Sequence, residues 1–336
     1  MALQPFNVSP KPTELDLNPL QANWNALKGV TLSKEELRSI LEIQPGRVYF
    51  DLGLLLVSLL AVPFLYRFFP NPLIFGLCIL LNVRNLNSLA QLVHFSDHGC
   101  LLETPQANAI VGNLCAYLIG YTRKGHMQSH LKHHLYLNTP EDPDRIWGEP
   151  NQTPRQFLRM LLQDFFFLSA LKRLSQYAQP SDTKASFSTT PWQKLSPAFL
   201  WGALKVMYPV ILTQLTVLGF YSLVLGPIYY PLFYVLPIMT LYPALIRLRS
   251  AVEHNFEPGI SPESQPQEIT RSTHANWFER FIIAPLGTHH HCEHHLFPKV
   301  PYYHLPRVQQ LMVDRGLEIP AAPGYFGFLW QKFALH

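Results

Sequence analysis

An all-α integral membrane fold, with four transmembrane helices in two hairpins beneath a cytosolic helical cap, is the architecture this sequence predicts. Charged residues make up only 14% of the 336 positions and apolar ones 48%, whereas soluble domains carry roughly 25% charged residues. The apolar residues are bunched into a few long runs. Lysine and arginine gather between and after those runs, and the short turns within them are almost bare of cations.

A spanning helix needs about 20 mostly apolar residues, which places the spans at about 48–69, 72–93, 204–225 and 228–246. The Pro70-Asn71-Pro72 turn separates the first pair, and Gly226-Pro227 the second. The shorter run from Ala109 to Tyr121 falls below spanning length and predicts an interfacial or re-entrant segment. Cations in short loops accumulate on the cytoplasmic side. Arg123, Lys124, Lys132, Arg145, Arg155, Arg159, Lys172 and Arg173 lie between the hairpins, and Arg247, Arg249, Arg271, Arg280, Lys299 and Arg307 follow the last span. Both termini and both large segments are therefore expected in the cytosol.

The remaining chain divides around that stem into an N-terminal cytosolic segment at 1–47, a membrane domain at 48–311 and a tail at 312–336. The first segment lacks the basic start and short apolar run of a secretory signal. Within it, Ser33 and Glu36 form a capping-box pattern ahead of Leu37, Ile40 and Leu41, which predicts a short amphipathic helix. Gln179 to Pro197, rich in Ser, Thr and Pro, predicts a loop before the third span. The formal charge of +4 gives no reason to expect nucleic acid, and the four cysteines have neither metal-finger nor disulfide-framework spacing.

Histidines mark the candidate site. His94 and His98 lie at the cytosolic end of the second span at i and i+4, positions that share a helical face. His130, His133 and His134 follow between the hairpins, His254 lies just past the fourth span, and His291, His294 and His295 repeat the i, i+3, i+4 pattern. All four groups converge on the same membrane face. One ion rarely takes more than about six ligands, so these nine imidazoles fit a histidine-rich di-metal site. The carboxylate-bridged alternative needs Glu-x-x-His pairs, which the sequence lacks. Ligating imidazoles need partners for their second nitrogen. Asp97, Glu253 and Glu293 each precede a candidate ligand, and Asp142 and Asp144 follow the second group, so all five are candidate orienting carboxylates. A polar stripe of Arg84, Asn87 and Gln91 leads along the second span towards His94 and His98, as a seam supporting the metals.

These motifs resemble the membrane fatty acid desaturase superfamily: His94-Phe-Ser-Asp-His98, His130-Leu-Lys-His133-His134, Asp142-Pro-Asp144, Arg249-Ser-Ala-Val-Glu253-His254, and His291-Cys-Glu-His294-His295-Leu-Phe-Pro298, with Val300 to Pro306 continuing the match. The resemblance implies two iron ions, O2 as co-substrate and a lipid or acyl substrate in an apolar channel. It also implies a separate electron donor such as ferredoxin or cytochrome b5, for which Arg123, Lys124, Lys132, Arg155 and Arg159 offer a basic docking surface. Three positions depart from the pattern: His289 and His290 stand where members often carry Asn-Tyr, and Ser250 where acyl-CoA relatives have a water-holding asparagine. His126, four residues before His130, is a further candidate ligand.

The expected activity is oxygen-dependent desaturation of a fatty acyl chain. A hydroxylase or ketolase of a lipid or carotenoid shares the histidine design. A zinc-binding membrane receptor or transporter using about three histidines is the alternative outside enzymes. His290, Glu293 and His294 also satisfy the His-x-x-Glu-His pattern of some zinc proteases.

Overall fold

The computed structural model describes residues 32–137, 139–146, 152–169, 197–254 and 269–334. The proline-rich start, residues 179–196 of the expected loop, Lys172, Arg173 and His336 lie outside them.

Helix α1 (Lys34–Leu41) begins at the expected capping box, with Ser33 accepting from the Glu36 amide and Glu36 from the Ser33 amide. It is followed by α2 (Pro45–Phe68) and α3 (Pro72–Asp97), which starts where Asn71 caps the Ile74 amide. Next come α4 (Pro105–Ile119) and α5 (Arg123–Leu135), both threonine-capped, and α6 (Pro154–Phe165). Helix α7 (Pro197–Val224) leads through a π-helical turn at Pro231–Val235 and one α-turn at Leu236–Met239 into α8 (Leu241–Glu253). The remaining elements are β1 (Ser272–Thr273), α9 (Trp277–Ile282), α10 (His291–Leu296), α11 (Leu305–Asp314), β2 (Ala321–Ala322) and α12 (Tyr325–Ala334).

Among the described residues, four stretches are long and apolar enough to cross a membrane: Lys34–Phe68, Pro72–Asp97, Trp201–Val224 and Pro231–Glu253. The outward side chains of these helices are apolar, as at Leu54, Val57, Leu73, Leu212 and Leu223, a surface that water would not tolerate but lipid does. The chain is accordingly a membrane protein.

Helices α3, α4 and α5 pack on one another, and α3 is buried along most of its length. Helix α4 is the segment expected to lie at the interface. Its last turn leaves carbonyls without helical partners, and other helices supply donors: Gln214 Nε2 reaches Tyr117 O at 2.7 Å and Leu118 O at 3.0 Å, while the Tyr234 hydroxyl reaches Leu118 O. A buried carbonyl without a partner costs about 1–3 kcal/mol, so these contacts fix α7 and the π-turn against α4. Eight-residue α1 would be marginal alone. Leu37 and Ile40 are buried where it packs on α11, each contributing about 1.5–3 kcal/mol, and Glu36 pairs with Arg315 at 2.6 Å.

The all-α expectation is corrected at one place. β1 and β2 form a short parallel pair, Ser272 opposite Ala321 and Thr273 opposite Ala322. The segment set apart in the sequence as a tail is thus tied into the body of the protein, and Tyr325 just beyond β2 is fully buried. The polar seam also differs from expectation. Asn87 bonds to Ile283 O at 2.9 Å and Gln91 to Asn87 at 3.1 Å, but Arg84 turns aside to Asn85 and lies over the Phe281 ring.

Candidate metal centre

Helices α3 and α5, the end of α8 and helix α10 bring their histidines to one place. Thr122 sets the start of α5 by accepting from the Gly125 amide, and that start determines which way His126, His130, His133 and His134 face. Two groups result, each with one donor atom per residue and all donors within 4.8 Å of one another: His94, His98, His130 and His294, and His133, His254, His291 and His295.

In the first group, Nε2 of His94 lies 2.7 Å from Nε2 of His294, and Nε2 of His98 lies 2.7 Å from Nε2 of His130. His134, the ninth expected ligand, falls outside both compact groups, but its Nε2 is 3.1 Å from that of His130. In the second group, Nε2 of His254 lies 3.2 Å from that of His133 and 3.1 Å from that of His291.

The outer nitrogens reveal what these groups fit. His133 Nδ1 faces Asp142 Oδ1, and His254 Nδ1 faces the Ser250 carbonyl at 3.1 Å. Both partners are pure acceptors, which assigns the ring protons to Nδ1. When both rings are neutral, their facing Nε2 atoms carry only lone pairs, an arrangement that a cation between them relieves. The donor set therefore fits metal ions.

The electrostatics favour the neutral form at each of these rings except His133. Burial, reinforced by neighbouring imidazoles, pushes His98 down to about 3 and holds His130, His134, His291, His294 and His295 well below the ordinary histidine range. Burial dominates at His254 as well and lowers it. At His133, burial also lowers the value, but Asp144 and Asp142 outweigh it and leave the ring raised. Neutral imidazole is the form that binds metal.

The five candidate carboxylates divide. Asp142 meets His133 directly, and Asp144 Oδ2 lies 3.8 Å from the same nitrogen. Glu253 Oε2 is 3.5 Å from His291 Nδ1 and is gripped by Arg249, with the Tyr325 hydroxyl on Oε1. Asp97 and Glu293 depart from expectation, because neither contacts a clustered imidazole. Asp97 binds His126 Nδ1 at 2.7 Å and Arg123 Nε at 3.0 Å, while Glu293 accepts from the Ser272 hydroxyl. His126 is thus engaged by a carboxylate outside both groups and stacks on His130. Arg123, expected on a docking surface, is turned inward to Ser96 and Asp97, its side chain only 15% exposed.

One cavity of about 260 Å³ joins the groups. His94, His130, His133, His254, His291 and His294 line it, with Ile119, Ile238, Met239, Tyr242 and Ile246 forming its apolar wall. His289 and His290 instead line a separate cavity with His274 and Arg280, so the zinc-protease pattern is split between two places. All four cysteines are buried and free. The contributions of Tyr325 and of the Ser250 carbonyl were not visible in the sequence, since neither carries a motif signal.

A family model described as fatty acid desaturase matches residues 70–324, which include every one of the clustered histidines. The chain is also similar to a dihydrorhizobitoxine desaturase of Bradyrhizobium elkanii, 26% identical over 265 residues that cover 74% of this chain and 71% of that protein.

Proposed function

The chain belongs to the fatty acid desaturase family, and on that premise we propose that it is a membrane di-iron enzyme that uses O2 to introduce a double bond into a fatty acyl chain. One observation carries this reading: two groups of four imidazoles, each with its donor atoms gathered closely enough to hold an ion, border one cavity whose other wall is apolar. A single zinc on about three histidines would leave most of these donors unexplained. The relative's printed activity is also a desaturation, which favours an alkene product over the hydroxylase or ketolase alternatives.

In this reading His94, His98, His130 and His294 hold one iron, with His134 as a fifth donor, and His133, His254, His291 and His295 hold the other. When bound, the pair of ions supplies the oxidising power towards an unactivated C–H bond that protein side chains lack. The chain's own residues do the positioning. Asp142 keeps the His133 proton on Nδ1 and leaves Nε2 free to bind. Ser250 does the same for His254 through its carbonyl. Its hydroxyl is buried without a hydrogen-bond partner among the described residues, and Ser250 borders the cavity, a place suited to holding one water. Ile119, Ile238, Met239 and Ile246 exclude bulk water and hold methylenes against the imidazoles, since placement of the reacting carbon decides the outcome. Gln91, buried at the end of the seam, borders the same cavity.

The four apolar stretches form two hairpins in this account, with both termini and the metal site on the cytosolic side, as the cation distribution requires. Electrons come from an acidic partner of the ferredoxin or cytochrome b5 kind, which docks on exposed Lys124, Lys132, Arg155 and Arg159.

Expression in a heterologous host, followed by lipid and pigment profiling, tests the reading. A new unsaturated acyl product that disappears in His133→Ala supports it. Oxygenated lipids or ketocarotenoids would assign the alternative chemistry, and unchanged profiles with iron-loaded, reduced enzyme would overturn it.

A further inference from the structure

The match to the family ends at residue 324, and the next residue reaches the metal centre. We propose that Tyr325 is a positioning residue for the His133, His254, His291 and His295 group, acting through Glu253. This inference rests on the di-metal reading.

Tyr325 opens α12 and is fully buried. Its hydroxyl donates to Glu253 Oε1 at 2.6 Å, where Arg249 Nε also donates at 2.8 Å. Arg249 supplies a second bond, at 3.0 Å, to Oε2. Oε1 therefore has both acceptor directions filled from within the protein, while Oε2 keeps one for His291 Nδ1, 3.5 Å away. With that division the carboxylate plane is set by Arg249 and Tyr325 together. Without the phenol, Oε1 has a vacant direction, and rotation of the carboxylate would withdraw Oε2 from His291. Glu253 also directly precedes His254, so its placement bears on two of the four imidazoles.

The surrounding chain is built to hold the phenol there. β2 pairs with β1 immediately upstream. The Phe326 amide donates to Glu279 Oε1 at 2.8 Å, and the same carboxylate closes the cap of α9 at the Asn276 amide. Gly324 permits this approach, because a Cβ there would lie 2.6 Å from Glu279 Oε2. Anchors on both sides of Tyr325 leave it little freedom to point elsewhere. The C-terminal segment thus acts as a brace on one of the two metal positions.

Tyr325→Phe removes the hydroxyl and keeps the buried ring. Iron retention by purified protein, titrated with a chelator, should show one of two ions leaving about 10–100-fold more readily than in the wild type, the usual effect of losing a partner of a ligating histidine. The other ion should be held as in the wild type, and the Mössbauer spectrum should alter for one iron only. Glu253→Gln should weaken the same ion, and the double variant should add little to it. Should Tyr325→Phe fold poorly, Gly324→Ala, which displaces the Glu279 anchor, should weaken the same ion. Equal release of both ions, or of neither, from the variant would overturn this inference alone. Wild-type protein that cannot hold two ions would overturn the di-metal reading beneath it.

Discussion

Asp142 Oδ1 lies 2.9 Å from Nδ1 of His133, with both side chains almost wholly buried. That contact keeps a proton on Nδ1, so that the neutral ring offers a metal the lone pair of its other nitrogen. In Asp142→Asn the amide can rotate to present a donor, which allows the ring to change tautomer. Iron affinity of the second group is expected to fall about 10–100-fold while the fold is kept, as measured by iron content after dialysis against graded chelator.

Asp97 belongs to a different arrangement. Gly112 leaves the space through which Arg123 reaches it, for a Cβ at that position would lie 2.1 Å from Ser96 Oγ and 2.6 Å from Arg123 Cδ. Gly112→Ala should displace the guanidinium and destabilise the protein by about 1–3 kcal/mol, the usual cost of overpacking. Thermal unfolding in detergent would measure the loss, and Gly219→Ala, where no atom of the described residues lies within 4 Å of the added carbon, is the control.

How much of this centre was legible depends on what helical geometry dictates locally. The i, i+3, i+4 spacing marked residues that the fold brings together, but it did not say which imidazoles share a group. The structure pairs them by a rule that repeats on two helices. His130 belongs to one group and His134, at i+4, lies beside it, while His133 goes to the other. On α10, His291 and His295 share a group, and His294 goes to the other. Residues four apart diverge by about 40° around the helix axis and residues three apart by about 60° in the opposite sense, so one turn can serve two centres. The four apolar stretches were equally readable, because length and composition suffice. The inward turn of Arg123 and the docking of Tyr325 were not. Both depend on contacts between segments far apart in the chain, which local spacing does not encode.

The histidine groups also predict a pH response for the metal-free protein. His98 titrates at about 3 in the folded chain against roughly 6.5 unfolded. The unfolded state therefore binds more protons between those values, and stability falls as pH drops through that window. His130, His134, His291, His294 and His295 act in the same direction, and His133 opposes them. The melting temperature of iron-free protein should decline steadily from pH 7 to about pH 5; a flat profile would mean that these rings are not buried and neutral.

Arg155 and Arg159 on α6 are exposed, as is Lys132. Reversing all three to Glu should raise the KM for an acidic electron donor and flatten the salt dependence of turnover, with the iron content unchanged. Steady-state kinetics at several ionic strengths would test it; an unaltered salt dependence would place donor docking on another surface.

The most direct test of the whole account is the metal content of freshly purified protein from iron-supplied cells, wild type beside His254→Ala. The wild type should carry about two irons per chain and the variant about one, since each ion draws on its own group of imidazoles. A single zinc, or two irons untouched by the loss of His254, would contradict it.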